Sequence, residues 1–103
     1  MINVRKNITN IKNIYTFFEF EGYSSWEDFE NILLVSVNRI GCQVIEKLDG
    51  IYSRHSILKK DGLIFKLMYH EDFGNCLCNQ EKKDDDYYIK LNELAEEIAS
   101  KLS

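Results

Sequence analysis

Apolar and polar residues alternate along residues 14–21, in the segment IYTFFEFE. In an extended chain this alternation puts one set of side chains on each side: Ile14, Thr16, Phe18 and Phe20 against Tyr15, Phe17, Glu19 and Glu21. A period of two with aromatic residues is typical of a β-strand that buries one face. We therefore predict a strand here, ended by Gly22.

The following segment, SSWEDFENILLVSVNRIG, changes to a helical period. Its apolar residues recur three or four positions apart from Trp26 to Ile40. Ser24 with Glu27 has the spacing of a capping box, and Ser25 with Asp28 is a close variant. The pattern predicts a helix that Gly41 ends.

Four strand-like segments come next: CQVIEKL (42–48), IYSRHSILK (51–59), LIFKLMYH (63–70) and CLCNQ (76–80). Asp49 with Gly50 predicts a two-residue hairpin turn, and residues 60–62 predict the next turn. In the first segment Glu46 is the exception on an otherwise apolar face. The third segment is apolar on parts of both faces, so we expect it at the centre of the sheet. The fourth is short, and we expect it at an edge.

The last segment, residues 81–103, again has helical spacing. Its apolar stripe consists of Tyr87, Leu91, Leu94, Ile98 and Leu102. Asp84, Asp85 and Asp86 stand where the N-cap and the first turn belong. A helix needs a single cap, so this run of aspartates exceeds what the fold requires.

The predicted order is β-α-β-β-β-β-α, an α+β fold. Short turns make the middle strands antiparallel neighbours, in a mostly antiparallel sheet, and the two helices should pack on one face of it. The other face carries polar residues and is a candidate interaction surface. We predict a single domain over residues 1–103, with residues 1–12 flexible.

Charge narrows the choice of partner. The formal net charge is −4, which disfavours direct nucleic-acid binding and suits a basic protein partner. No apolar run reaches the ~20 residues of a membrane span, and no apolar region of a secretion signal follows the first basic residues. Three cysteines, an odd number, fit reduced thiols in the cytoplasm.

Residues with chemical potential are few. Cys76 and Cys78, with His70 and Cys42, could approach a metal, but there is one C-x-C pair and no second pair, so we expect no zinc site. Cys76 with His70, or Cys42 with His55, could form a thiolate pair, yet no hydrolase signature accompanies them. We predict no catalytic residue and no cofactor.

The remaining candidates form a partner-binding surface of acidic and aromatic side chains. They are Glu19, Glu21, Glu71, Asp72, Asp84, Asp85 and Asp86, with Tyr15, Phe17, Tyr52 and Tyr69. Tyrosines among polar groups are a common composition at binding hot spots. Two alternatives need no foreign partner. The acidic residues are then an ordinary solvated face, and the aromatic residues are covered by a second layer or by an oligomer.

In size, acidity, α+β character and lack of a catalytic motif, the chain resembles the immunity proteins of bacterial polymorphic and contact-dependent growth-inhibition toxin systems. The resemblance implies a small cytoplasmic protein that binds and blocks one cognate toxin domain, often a nuclease, encoded by an adjacent gene. Two alternatives stay open. One is a homodimeric adaptor that pairs through an edge strand, either CLCNQ or the first strand. The other is a small Cys-His enzyme.

Overall fold

The computed structural model describes residues 4–8, 16–51, 53–72, 74–81 and 83–102. In chain order the elements are β1 (Val4–Ile8), β2 (Thr16–Phe20), α1 (Asp28–Val35) with a π-helical turn (Ser36–Ile40), β3 (Gln43–Lys47), β4 (Arg54–Lys60), β5 (Leu63–His70), β6 (Gly74–Cys78) and α2 (Asp85–Ser100).

These strands form one antiparallel sheet in the order β1-β2-β6-β5-β4-β3. Strands β3 to β6 make a continuous meander, as the short connections predict. The predicted α+β fold is confirmed. Strand β1 is an addition, because it lies in the first 12 residues, where the sequence pattern predicted no element and we expected flexibility.

Both helices pack on the same face of the sheet, as predicted. Phe18 of β2, Leu77 of β6 and Leu67 of β5 lie side by side in register on that face. Each of the three is almost fully buried. The buried helix residues that cover them are Phe29, Ile32, Leu33, Leu91, Leu94, Ala95, Ile98 and Ala99. Removal of this apolar surface from water is the main stabilising contribution, at about 25 cal/mol for each Å².

Strand β6 is in the middle of the sheet, so the predicted edge position of CLCNQ is wrong. It pairs with β2 on one side and β5 on the other, and all five of its residues are buried. The short length of the segment suggested an edge strand, but length alone does not distinguish an edge strand from a central one. The edge strands of the described sheet are β1 and β3.

Only one of the two predicted tight turns forms. Asp61 and Gly62 have φ of 50° and 82° and join β4 to β5 directly, as the left-handed positions of a two-residue hairpin turn require. The prediction for Asp49 and Gly50 is wrong. There β3 ends at Lys47 and β4 begins at Arg54, and the Asp49 carboxylate accepts a hydrogen bond from the His55 N–H (3.3 Å).

Strand β3 contains a shift in register that explains the exceptional Glu46. Val44 pairs with Leu58, whereas Glu46 pairs with Ile57, so one extra residue of β3 lies between them. Leu58 belongs to the helix-covered core, and Ile57, its neighbour on β4, points to the opposite face. The shift therefore turns Glu46 away from the core, as a β-bulge does.

Of the two predicted capping boxes, the described residues form only that of Ser25 with Asp28, and Glu27 makes no capping hydrogen bond with its side chain. Ser25 and Asp28 form the reciprocal pair of a capping box, in which each side chain accepts a hydrogen bond from the other residue's N–H (3.2 Å for both). Asp84 caps α2 by accepting from the Tyr87 N–H (3.0 Å). Gly41, with φ of 90°, ends the first helix.

Asn75 ties the start of the first helix to the sheet. Its side-chain amide lies on β6, is fully buried, and donates to the carbonyl oxygens of Tyr23 (2.8 Å) and Ser25 (2.9 Å). Both carbonyls belong to the segment that enters α1. The amide therefore fixes where α1 begins above the sheet, a role that sequence patterns do not reveal.

We expect Asn75→Ala to lower the free energy of unfolding by about 2 kcal/mol, because the Tyr23 and Ser25 carbonyl groups each lose a partly buried hydrogen bond. The exposed amide Gln80 is the control, and Gln80→Ala should change stability by less than about 0.5 kcal/mol. Urea denaturation monitored by circular dichroism measures both. Equal stability of the two variants would show that Asn75 does not hold the helix entry.

Candidate protein-binding surface

The structure divides the acidic residues that lie close together in sequence. Glu71 and Asp72 occupy the turn between β5 and β6, and Asp84 begins α2 beyond the other end of β6. Five residues of extended strand separate these ends by roughly 17 Å. Glu21 follows β2 at the same end as Glu71, since Glu19 pairs with Cys76 in an antiparallel register. The predicted surface is therefore two separate sets of carboxylates.

Two predicted surface residues of β2 are buried. Phe17 is 7% exposed and packs in a small cluster with Met68, Cys76 and Cys78, on the face opposite the helices. Glu19 is 3% exposed and lies on the same face, in register with Cys76. The predicted strand is confirmed, but the prediction that it buries one face is wrong, because all five of its residues are buried. Neither side chain is therefore exposed to a partner.

Among the predicted aromatic anchors, Tyr69 lies on the helix-covered face instead of the open one. Its ring contacts Trp26 edge to face, with 5.4 Å between ring centroids. This placement follows from the period of two in β5, because Tyr69 points to the same side of the strand as the buried Phe65 and Leu67. Tyr15 and Tyr52 lie outside the residues that the structure describes.

Arg54 connects these aromatic rings to the sheet. Its guanidinium lies 4.5 Å from the centre of the Phe29 ring and 5.4 Å from that of Trp26, and it pairs with the Glu30 carboxylate at 2.8 Å. The cation–π contacts and the ion pair together hold α1 against β4. We interpret this cluster as structural, because its charges are satisfied within the chain.

The strongest candidate for a binding surface is the outer face of α2. We define it by the exposed residues Asp85, Asp86, Ile89, Glu93, Glu96 and Glu97. With 3.6 residues per turn, these positions lie opposite the buried Leu91, Leu94 and Ile98. At 1.5 Å per residue the face extends about 18 Å along the helix axis. It presents five carboxylates around one exposed isoleucine, and the exposed Lys90 borders it beside Glu93 and Glu97.

Helix formation explains only part of this acidic face. Asp84 is the cap, and Asp85 and Asp86 gain from the positive end of the helix. Glu93, Glu96 and Glu97 lie beyond the first turn, where the helix dipole no longer favours carboxylates. Within the described residues, the side chains of Asp85, Asp86, Glu93 and Glu96 form neither hydrogen bonds nor ion pairs. The described residues therefore do not neutralise these carboxylates.

An open groove lies on each side of α2. The first, here called the Tyr88 groove, has a volume of about 380 Å³ and is lined by Phe18, Asp85, Tyr88, Ile89 and Asn92. The second, the Lys90 groove, has a volume of about 300 Å³. Its lining residues are Lys60, Asp61, Leu63, Lys90, Glu93, Leu94 and Glu97. Ile89 is 57% exposed and forms part of the wall of the Tyr88 groove.

The three thiols are enclosed and protonated. Burial raises the pKa of Cys42 to about 11 and that of Cys78 to about 11, and it raises the pKa of Cys76 well above its usual value. Cys76 lies within hydrogen-bonding distance of the Met68 carbonyl oxygen (3.7 Å). Among the described residues, no three His, Cys, Asp or Glu side chains are placed to hold a metal ion.

Neither proposed Cys-His pair is assembled. His70 Nδ1 accepts a hydrogen bond from the Asp72 N–H (3.0 Å) in its own turn. His55 lies near the start of β4, whereas the charges that act on Cys42 come from Lys60 and Asp61 at its far end and from Glu97 of α2. The Cys-His enzyme alternative therefore has no geometric support in the described residues.

Comparison with protein-family models, with curated proteins and with solved structures found no significant match to this chain. Neither α1 nor α2 has the length and apolar character of a membrane-spanning helix. Function must therefore be inferred from the geometry of the described surface.

Sequence reasoning located part of the outer face of α2 and missed the rest. It selected Asp84, Asp85 and Asp86 as a run of like charges. Glu93, Glu96 and Glu97 carry a signal of their own, since spacings of three and four residues put them on one side of a helix. That signal becomes useful once the buried stripe shows which side of the helix points outward.

We expect the three thiols to react very slowly with 5,5′-dithiobis(2-nitrobenzoic acid) in the native protein and promptly in denaturant. With a pKa of about 11, only about one thiol in ten thousand is ionised at neutral pH, and burial also blocks access. Stopped-flow absorbance measures the rates. One thiol that reacts within seconds under native conditions would restore the enzyme alternative.

Proposed function

We propose that this chain is a toxin-neutralising immunity protein that binds a basic toxin domain through the outer face of α2. The observation that carries the proposal is the set of five carboxylates on one exposed helix face, around Ile89. The general resemblance of the chain to immunity proteins supports the same reading. In this proposal the partner is encoded by an adjacent gene, and binding takes place in the cytoplasm.

Electrostatic complementarity explains how such a partner is recognised. A nuclease domain presents basic residues to its nucleic-acid substrate, and an acidic helix face can occupy that surface. The net charge of −4 means that this chain attracts a positively charged partner. Long-range attraction between such surfaces accelerates association and weakens as salt screens it over about 8 Å at physiological ionic strength.

Affinity requires more than charge, because exposed ion pairs contribute little each. The apolar centre of the proposed interface is Ile89, with the half-buried ring of Tyr88 beside it. A central apolar anchor surrounded by charged residues is the usual anatomy of a tight interface. The carboxylates then set the choice of partner and the rate of association, and the anchor sets the rate of dissociation.

Inhibition in this proposal is by occlusion and needs no turnover by the immunity protein itself. A helix face about 18 Å long can cover a substrate-binding cleft. The protonated thiols are consistent with a role that uses no nucleophile of this chain. The end of the sheet that carries Glu71 and Asp72 takes no part in this interface.

A fourfold variant tests the proposal: Asp85→Asn, Asp86→Asn, Glu93→Gln and Glu96→Gln. The control removes the same charge elsewhere, with Glu27→Gln, Asp49→Asn, Glu71→Gln and Asp72→Asn. Co-expression with the product of the adjacent gene scores protection of growth, and surface plasmon resonance measures association at several salt concentrations.

The first variant should lose protection and associate at least about tenfold more slowly at low salt, because steering depends on the charges at the binding face. The control should keep protection. Equal loss of protection in both variants would show that the interface does not lie on α2. No toxic or bound product from either neighbouring gene would contradict the immunity proposal itself.

A second candidate function is a homodimeric adaptor that pairs through β3. This edge strand is exposed along its length, with Ile45 at 53%, and Ile51 beyond it at 86%. Two copies of β3 could pair in antiparallel fashion about a twofold axis at Ile45. Val44 of one copy would then lie opposite Glu46 of the other, and no two residues of like charge would face each other. The shift in register at the same point works against such pairing, because bulges protect edges. We therefore place this candidate second.

For this second candidate we expect a concentration-dependent dimer that Ile45→Lys returns to a monomer. Leu34→Lys is the control, since Leu34 is an equally exposed apolar residue on α1, away from the edge. Sedimentation equilibrium gives the dissociation constant of each protein. A wild-type chain that stays monomeric at every concentration, or a dimer indifferent to Ile45→Lys, excludes pairing through β3.

A further inference from the structure

We propose that the bond between Asp61 and Gly62 is a site of spontaneous covalent modification, at which the main chain rearranges to isoaspartate. The sequence contains two Asp-Gly pairs, at residues 49–50 and 61–62. Glycine after aspartate favours this rearrangement, because it has no side chain to shield its backbone nitrogen. The structure gives the two pairs different surroundings, and those of Asp61 suit the reaction. This inference does not depend on the proposed function.

The reaction is an intramolecular condensation followed by a hydrolysis. The backbone nitrogen of Gly62 attacks the carboxyl carbon Cγ of Asp61, so that a C–N bond forms, a Cγ–O bond breaks and one water molecule leaves. Water then opens the resulting succinimide ring at either carbonyl carbon. Attack at Cγ restores aspartate, whereas attack at the main-chain carbonyl carbon leaves the chain joined through Cγ, which is isoaspartate. The rearrangement needs no oxidant or cofactor.

Both reacting groups of the Asp61-Gly62 pair are accessible. These residues lie between Lys60 and Leu63, the last paired residues of β4 and β5, so they can change conformation while the strands stay paired. The Asp61 side chain is 85% exposed and lies 3.8 Å from the Lys60 ammonium, and so exposed a pair constrains it little. Within the described residues the Gly62 N–H makes no hydrogen bond, and no atom apart from its chain neighbours lies within 4 Å of the place of a Cβ.

Hydrogen bonds hold Asp49 and Gly50 in place. The Asp49 carboxylate accepts one from the His55 N–H at 3.3 Å. The Gly50 N–H, whose nitrogen would have to attack, donates to the Ser53 carbonyl oxygen at 2.8 Å. Both bonds must break before that nitrogen can reach the carboxyl carbon, which lowers the population of reactive conformers by at least about tenfold. This pair is therefore an internal comparison within the same chain.

Conversion of Asp61 weakens the hairpin of β4 and β5. Isoaspartate adds a methylene carbon to the main chain, whereas a two-residue turn matches the twist of its strands only with the ordinary backbone. Lys60 pairs with Leu63 to close the turn, and the buried pair of Leu58 and Phe65 lies two positions further along the strands. A modified chain therefore loses the closing pair and holds this part of the core less firmly.

Incubation of the full-length chain at neutral pH in water enriched in the heavy isotope of oxygen tests the inference, because each ring opening leaves a labelled oxygen atom in the product. Trypsin, applied afterwards in ordinary water, places the two Asp-Gly pairs in different peptides, and mass spectrometry measures the label in each. A parallel incubation in urea removes the protection that the fold provides.

Two variants at the same position complete the design. Asp61→Glu keeps the charge, but ring closure through its longer side chain is slow. Asp61→Asn keeps the turn, because asparagine followed by glycine also suits a two-residue hairpin, and its ring closure releases ammonia in place of water and is faster.

The native chain should take up label at Asp61 at least about tenfold faster than at Asp49, and the two rates should become similar in urea. Asp61→Glu should take up no label at this position, and Asp61→Asn should react faster than the wild type. The isolated isoaspartate form should melt at a lower temperature than the unmodified chain. Equal labelling of the two pairs in the native chain, or labelling of Asp61 in urea alone, would overturn the assignment. An unchanged melting temperature would overturn the effect on the hairpin.

Discussion

Every other part of this structure depends on the complete enclosure of strand β6. It pairs on both sides, with β2 and β5, and all five of its residues are buried. Leu77 faces the helices, while Cys76 and Cys78 face the opposite side with Phe17 and Met68. The side-chain N–H groups of Asn75 on this buried strand donate to the carbonyl groups at the entry of α1. One short strand thus sets the order of the sheet and the position of a helix.

The same enclosure decides which groups can take part in chemistry. Thiols on a strand with no solvent access stay protonated, so the residues with the highest intrinsic reactivity in the sequence are inert packing groups. The strand also separates two acidic segments, because each of its ends carries one of them. The acidic residues of α2 lie together on the outside of that helix.

Two physical features favour that surface as an interface. Its carboxylates exceed what the helix needs for its own stability, and they surround an exposed isoleucine. The described linings of the two grooves beside it differ, since Lys60 and Lys90 belong to one of them and no lysine with a described side chain belongs to the other. A partner would therefore meet an asymmetric site, and asymmetry of this kind fixes orientation as well as attraction.

The sequence by itself determined the local features: the strand β2, both helices with their caps, the turn at Asp61 and Gly62, and the α+β class. These follow from periods of two and 3.6 residues and from backbone geometry, which neighbouring residues set. Only the tertiary structure decided the central place of β6, the addition of β1, the outward turn of Glu46, the burial of Phe17 and Glu19, and the division of the acidic residues. Each of these depends on which strands lie side by side, and that pairing joins residues far apart in the chain. Strand order is selected by the summed burial of the whole sheet, so no local pattern contains it.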